Sequence, residues 1–455
     1  MTQRKVILVY PMHDSEREYH WFPFSVIELA ECAAAAGYEP VIVDQRVEAD
    51  WQEKLVQALT DETVCVGISV MVGEQIRAAL DAAQRVRDCR PDVPLVWGGP
   101  HPSSEPEQTL RHHLVDVVAR GPAEDSFVAL LSVLGQERSL EEIPGISWKH
   151  GQEIHHNHPA KRPEIDRGSP ARYDRVDVPR YINPKTMIAG AISSRGCSHR
   201  CAFCAISDQF RGWKPRRLDL VMDDLEYLVG RYRFARVSFH DGNFCVDQGR
   251  MVAFCRALMD RKLGIQGWHA NARADQLARY APETVALMRE SGCELICLGV
   301  ESGSPRILEM LNKGVTPAHA VQAVRHLKQH KIHGFLSLMF GCPGETLEDL
   351  EETVSHVYRL QEMYDGVAPV LHYYRPYPGT RLYKDACARG WTPPQSLEAW
   401  AEWTWDSSAA RRNGFPWLDP DYVPIMFERV AEAFPVGGLV QQVLDRRLSG
   451  RADRG

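Results

Sequence analysis

No stretch of the chain stays apolar long enough to cross a bilayer, which leaves no expected membrane partner. The opening Met-Thr-Gln-Arg-Lys runs into a strand pattern without the apolar segment of a secretory leader, so a cytoplasmic protein is expected. Basic charge is not in excess. The 53 Lys and Arg stand against 60 Asp and Glu, a net charge of −7, so the phosphate neutralisation on which nucleic-acid partners rely has no support. Of 12 cysteines, nine (Cys32, Cys65, Cys89, Cys245, Cys255, Cys293, Cys297, Cys342 and Cys387) are scattered through apolar surroundings, as reduced core thiols are. The other three stand in one run, Cys197-Ser-His-Arg-Cys201-Ala-Phe-Cys204, and no fourth cysteine accompanies them.

At 455 residues the chain has room for two or three domains, each able to bury a core without staples. From Lys5 to about Leu134, Val/Ile/Leu runs alternate with amphipathic helical patterns. Such alternation predicts a parallel sheet covered on both faces, a doubly wound α/β domain with ligand loops at the carboxyl ends of its strands. Gly145–His155 reads as a small β element, and the Pro- and Arg-rich stretch from His158 to Pro184 as a connector. A second βα series starts at Ile188 and carries the cysteines in its first loop. The division expected is 1–140, a linker 141–187, a core 188–385, and a helical cap 386–455 with tryptophans at 391, 400, 403, 405 and 417.

Three thiolates within eight residues ligate three irons of a four-iron cluster and leave one iron open to bind something. Zinc is the alternative, with His199 as fourth ligand. A second cluster on Cys245, Cys293 and Cys297 would lack a compact motif. The three-then-two spacing, with an aromatic, Phe203, before the last cysteine, resembles the radical S-adenosylmethionine (SAM) superfamily. That resemblance implies a [4Fe-4S] cluster on Cys197, Cys201 and Cys204. It also implies SAM chelated to the open iron and cleaved to a 5′-deoxyadenosyl radical, and six strands forming a partial (β/α)6 barrel.

Further blocks support the resemblance over about residues 188–383. Phe239-His240-Asp241-Gly242-Asn243-Phe244 is similar to the motif that receives the SAM amino group, although Asp-Gly-Asn also suits a plain turn. Glu301, with Ser302 beside it, is the expected ribose contact, and Arg273 a donor to the SAM carboxylate. Met339-Phe340-Gly341-Cys342-Pro343-Gly344-Glu345-Thr346 resembles the adenine loop, with Phe340, Gly341 and Pro343 as contacts.

In the first domain, Trp97-Gly98-Gly99-Pro100-His101-Pro102 resembles the cobalamin-binding domain of a large radical SAM branch. That branch includes the anaerobic magnesium-protoporphyrin cyclase and natural-product C-methyltransferases. Ser69, Gly73, Gly98 and Gly99 are the expected contacts if cobalamin binds. Two departures argue against it: Gly121-Pro122-Ala123-Glu124 where Gly-Glu-Gly-Glu is usual, and a first loop crowded by Tyr19 and Trp21. The chain also lacks an Asp-x-His-x-x-Gly signature for a lower cobalt ligand. The expected reaction is therefore radical dehydration or deoxygenation of a small hydroxylated, amino-sugar-like intermediate of antibiotic biosynthesis, with cobalamin-dependent C-methylation as the alternative. His240, Asp14, Glu16 and Tyr374 are candidate acids or bases. The expected partners are a small-molecule substrate, a flavodoxin- or ferredoxin-type electron donor, and a separate reductase for a carbonyl product.

Replacing Cys197, Cys201 and Cys204 together by Ala is expected to abolish iron loading and 5′-deoxyadenosine release, whereas the parent chain loads about four irons. Iron analysis and chromatography after reduction with dithionite and SAM make the check. Undiminished 5′-deoxyadenosine from the triple variant would refute the ligand set.

Overall fold

In the computed structural model, which describes residues 3–13, 19–134, 139–210, 212–403 and 414–434, the chain divides into two units. One comprises 1–185 with 393–409, the other 186–392 with 410–455.

In the first unit the apolar runs become strands β1 (Lys5–Tyr10), β2 (Glu39–Asp44), β3 (Thr63–Ser69), β4 (Leu95–Gly98) and β5 (Val117–Ala119). They pair in parallel in the order β2-β1-β3-β4-β5. Val6, Ile7, Leu8 and Val9 of β1 are all buried because helices cover both faces, so the strand reads as continuous rather than alternating. Helix Glu74–Cys89 contributes Ile76, Ala79, Ala83 and Val86, spaced three and four residues apart along one face. The small β element is a hairpin, β6 (Ile146–His150) and β7 (Glu153–His156), which adds antiparallel to β5 and so covers that sheet edge.

The expected connector docks on this unit. Its prolines confine it to 3-10 turns at Pro170–Arg175 and Val178–Tyr181, and its arginines anchor it. Arg172 pairs with Glu28 at 3.2 Å, Arg175 with Glu31 at 2.9 Å, and the Tyr181 hydroxyl donates to Asp44 at 2.9 Å. Part of the expected cap also belongs here. Helix Leu397–Ala401 packs on Glu74–Cys89, Gln108 donates to the Pro394 carbonyl at 3.0 Å, and His112 meets Glu398 at 3.1 Å.

In the second unit β8 (Ile188–Ala191), β11 (Arg236–Phe239), β12 (Gly267–Arg273), β13 (Cys293–Glu301), β14 (His333–Phe340) and β15 (Val367–Tyr373) form an all-parallel sheet. Its order is β15-β14-β13-β12-β11-β8, with β8 and β15 as edges, and helices return the chain between strands. This is the open six-stranded barrel expected. An antiparallel pair, β9 (Ser194–Cys197) with β10 (Gly212–Pro215), frames the cysteine loop. From the tail, Phe415, Trp417 and helix Tyr422–Ala433 belong to this unit, whereas Trp405 lies outside the described residues.

Gly99 is the tightest backbone crossing at the carboxyl ends of the first sheet. Its φ is +95°, and a Cβ there would lie 2.8 Å from both the nitrogen and the oxygen of Val70. Gly99→Ala is expected to destabilise the chain by about 1–3 kcal/mol, through the strained φ and the backbone clash. Urea unfolding of both proteins would test it, and equal midpoints would refute the constraint.

Candidate active site

The cysteine run has little regular structure of its own, so its shape is set by what it docks on. The Ala202 amide donates to the Leu311 carbonyl at 2.8 Å, and the Asn312 side chain donates to the Arg200 carbonyl at 2.8 Å. The Leu382 amide donates to the Ala202 carbonyl at 2.9 Å. Asn312 adopts φ +49°, a left-handed turn that asparagine tolerates, after helix Pro305–Met310. In sequence, Leu311-Asn-Lys-Gly reads only as a helix end; in the fold it is the seat of the cysteine loop.

All three cysteines are half-buried thiols outside any disulfide. Burial pushes the Cys201 thiol up, opposed by Lys313 and Arg273. Among the described residues no three His, Cys, Asp or Glu side chains converge tightly enough to hold a single metal ion. That is compatible with a cluster, in which each thiolate takes a different iron and the ligands stand farther apart. His199, the possible fourth zinc ligand, lies instead 3.3 Å from the Gln276 side-chain nitrogen. Cys245 and Cys293, two of the three thiols considered for a second cluster, are buried, as is Cys255, and desolvation pushes all three thiols up. Cys297 is a half-buried thiol, likewise raised by burial.

Several SAM contacts expected from sequence have other primary partners. The Asp241 carboxylate is buried and accepts from the Ser193 amide and hydroxyl, both at 2.7 Å, and from the Ser194 hydroxyl. It therefore fixes the strand that leads into Cys197. Gly242 is exposed beside it. Asn243 donates to Gln276, and its own Oδ1 is buried without a partner, an acceptor left for a ligand. Ser302 is spent on Thr353, at 2.8 Å, and on the Ser304 amide at 3.0 Å. Glu301, at φ +65° on the end of β13, forms a buried ion pair with Lys313. Arg273 donates from Nε to Asp275 at 2.9 Å, from Nη2 to the Lys313 carbonyl, and from Nη1 to the Cys201 sulfur at 3.3 Å. Phe203 is half-buried in the loop itself.

At the end of β14 the amides of Gly341 and Cys342 both donate to Glu345. Burial pushes that carboxyl up to about 8, outweighing the two amides that favour its charge. The Gly341 carbonyl accepts from Trp417 at 2.8 Å. With those groups engaged, Phe340 and Pro343, both buried, supply the apolar surface of this loop. The Tyr374 hydroxyl is buried without a hydrogen-bond partner, its ring edge-on to Trp417 at 5.6 Å, and burial drives its pKa upward. His240 is half-buried, and its amide joins β11 to β8 through the Ala191 carbonyl at 2.8 Å. Asp14 and Glu16 lie outside the described residues.

The first unit has its own candidate site where strand order reverses about β1, with β2 on one side and β3 on the other. Ser69 meets the Ser25 hydroxyl at 2.9 Å, Gly73 takes φ +93° at the start of helix Glu74–Cys89, Gly98 ends β4, and Gly99 follows it as the N-cap of Pro100–Ser104. His101, not singled out from sequence, is 2% exposed, and both its ring nitrogens lack hydrogen-bond partners. Burial lowers its pKa to about 4, so it is neutral, with one donor and one acceptor to offer. A ligand rich in amides and phosphate, as cobalamin is, fits those unmet groups. Tyr19 and Trp21 pack edge to face at 5.1 Å, and the Trp21 carbonyl accepts from Arg46 at 3.0 Å.

Comparison with known proteins finds a family model for a part of each unit. The model of the radical SAM superfamily matches residues 191–357, and that of the B12 binding domain residues 14–131. An uncharacterized methyltransferase, PH0819, of Pyrococcus horikoshii is 31% identical over 315 residues, 68% of this chain and 66% of that protein. The cytidylyl-2-hydroxyethylphosphonate methyltransferase of Streptomyces wedmorensis is 24% identical over 460 residues, 86% of this chain and 83% of that protein. Among solved structures, the radical SAM methyltransferase TsrM from Kitasatospora setae, with cobalamin and a [4Fe-4S] cluster bound, is 19% identical. It superposes with a TM-score of 0.71 over 86% of this chain and 76% of that one, a likeness of fold.

The Glu301–Lys313 pair gives a direct test of the site's electrostatics. Lys313→Met leaves a buried carboxylate without its counter-ion and is expected to cost about 3–5 kcal/mol, whereas Glu301→Gln with Lys313→Met together costs less. Denaturant unfolding of the two variants checks the order; a double variant as unstable as the single would refute the pairing.

Proposed function

The chain is a radical SAM protein with an N-terminal B12-binding domain, and from that membership we propose that it is a cobalamin-dependent radical SAM C-methyltransferase acting on a small molecule. The observation that carries this reading is the similarity to a named methyltransferase over 86% of the chain, more than either unit alone contains. The dehydration or deoxygenation expected from the sequence finds no support among these relatives, and methyl transfer replaces it. A reductase that consumes a carbonyl product then has no role.

When bound, the cluster and SAM supply a carbon radical able to remove a substrate hydrogen atom, and cobalamin supplies the methyl group. The protein's own part is placement. Cys197, Cys201 and Cys204 would hold three irons, and Leu311, Asn312 and Leu382 fix the loop that carries them. Asn243 Oδ1 is free to accept from the SAM amino group, and Glu301 can share its carboxylate between Lys313 and the ribose hydroxyls. Phe340, Phe415 and Trp417 close the end of β14 against water. In the first unit Ser69, Gly73, Gly98, Gly99 and the neutral His101 would hold cobalamin. The electron comes from a low-potential donor of the flavodoxin or ferredoxin class.

The full chain, expressed with hydroxocobalamin supplied and purified without oxygen, is expected to retain about one cobalt per chain. On reduction with SAM it should form S-adenosylhomocysteine beside 5′-deoxyadenosine. His101→Ala should lose cobalt at unchanged iron. No cobalt uptake from excess methylcobalamin, with 5′-deoxyadenosine as the sole SAM product besides methionine, would overturn the proposal.

A further inference from the structure

Arg273 is 6% exposed, and each nitrogen of its guanidinium is used within the second unit. Nε donates to Asp275 Oδ1 at 2.9 Å, Nη2 to the Lys313 carbonyl, and Nη1 to the Cys201 sulfur at 3.3 Å. The first two contacts hold the plane of the guanidinium, and the third aims a donor at a cluster ligand. We infer that Arg273 is a positioning residue that sets the reduction potential of the cluster through its hydrogen bond to the Cys201 sulfur.

The physical reason is charge. A guanidinium stays protonated at every working pH, so its positive charge is fixed. When one electron arrives from a low-potential one-electron donor, no bond breaks and no proton need move, and Cys201 becomes more electron-rich. A cationic donor at that sulfur strengthens as the charge grows, so it favours the reduced state and raises the potential. Asp275 opposes this from 2.9 Å and is itself partly offset by Arg279 at 3.3 Å, which is largely exposed and therefore weak. The other nearby charges, Lys313 and Glu301, pair with one another.

The two members of the pair should thus move the potential in opposite directions, which damage to the fold would not do. In an anaerobic redox titration of the reconstituted full chain, followed by electron paramagnetic resonance, Arg273→Gln is expected to shift the one-electron equilibrium about tenfold toward the oxidised cluster. That is a potential about 59 mV more negative. Arg273→Lys should fall between Arg273→Gln and the parent. Asp275→Asn, which leaves the Arg273 charge less compensated, should shift the potential upward. Unchanged potentials, or shifts of the same sign in Arg273→Gln and Asp275→Asn, would overturn the inference. If Arg273→Gln does not retain its irons, Asp275→Asn decides alone, a rise supporting the inference and any other result refuting it. The inference requires the cluster but not methyl transfer, so its failure would leave cobalt retention and S-adenosylhomocysteine formation as they are.

Discussion

A cluster with an open iron has only three protein ligands, so the loop that supplies them must be held in shape by contacts other than metal bonds. In this chain that task falls on hydrogen bonds to backbone carbonyls, from Ala202 to Leu311, from Leu382 to Ala202, and from the Asn312 side chain to Arg200. The turn that receives the loop is left-handed at Asn312 and closes the helix after β13. The same β13 ends in Glu301, whose partner Lys313 lies in that turn, so the carboxylate expected at the SAM ribose and the cysteine loop share one anchor. Moving the turn would disturb the cluster and the nucleoside site together.

Charge around the site follows from the thiolates. Arg273 and Lys313 approach the cysteines in a buried setting, and Asp275 and Glu301 keep each cation from standing alone. Buried pairs of this kind add little net stability over apolar packing, yet the loss of either partner is costly. Their value is positional. Lys313 uses its ammonium on Glu301 and its carbonyl on Arg273, which ties a ribose-side carboxylate to a sulfur-side guanidinium.

The proposal of methyl transfer over elimination turns on how a doubly wound unit takes a ligand. Departures such as Gly121-Pro122-Ala123-Glu124 and the charged first loop are side-chain features, and along the sequence they weigh against cobalamin. A doubly wound sheet binds mainly through strand ends, close backbone approach and a few unmet polar groups. Those elements persist in the 2-1-3-4-5 order, in Gly99 against Val70, and in the orphan nitrogens of His101.

Local rules made much of the chain legible. The Val/Ile/Leu runs could bury both faces only in parallel sheets, and three cysteines at three-then-two spacing without a fourth fixed the cluster chemistry. Hydrophobic periodicity and ligand count do not depend on distant partners. What depended on them had to wait for tertiary structure. The carboxylate of Asp241 and the hydroxyl of Ser302 look like ligand contacts until Ser193, Ser194 and Thr353 are found consuming them. Arg273 reads as a partner for a carboxylate 72 residues away in chain from the sulfur it reaches. Helix Leu397–Ala401 reads with the tail that follows it until Glu74–Cys89 is seen beneath it. A side chain's chemistry is written in the sequence, but its partner is chosen by the fold, because hydrogen bonds and ion pairs act over a few ångströms of space rather than along the chain.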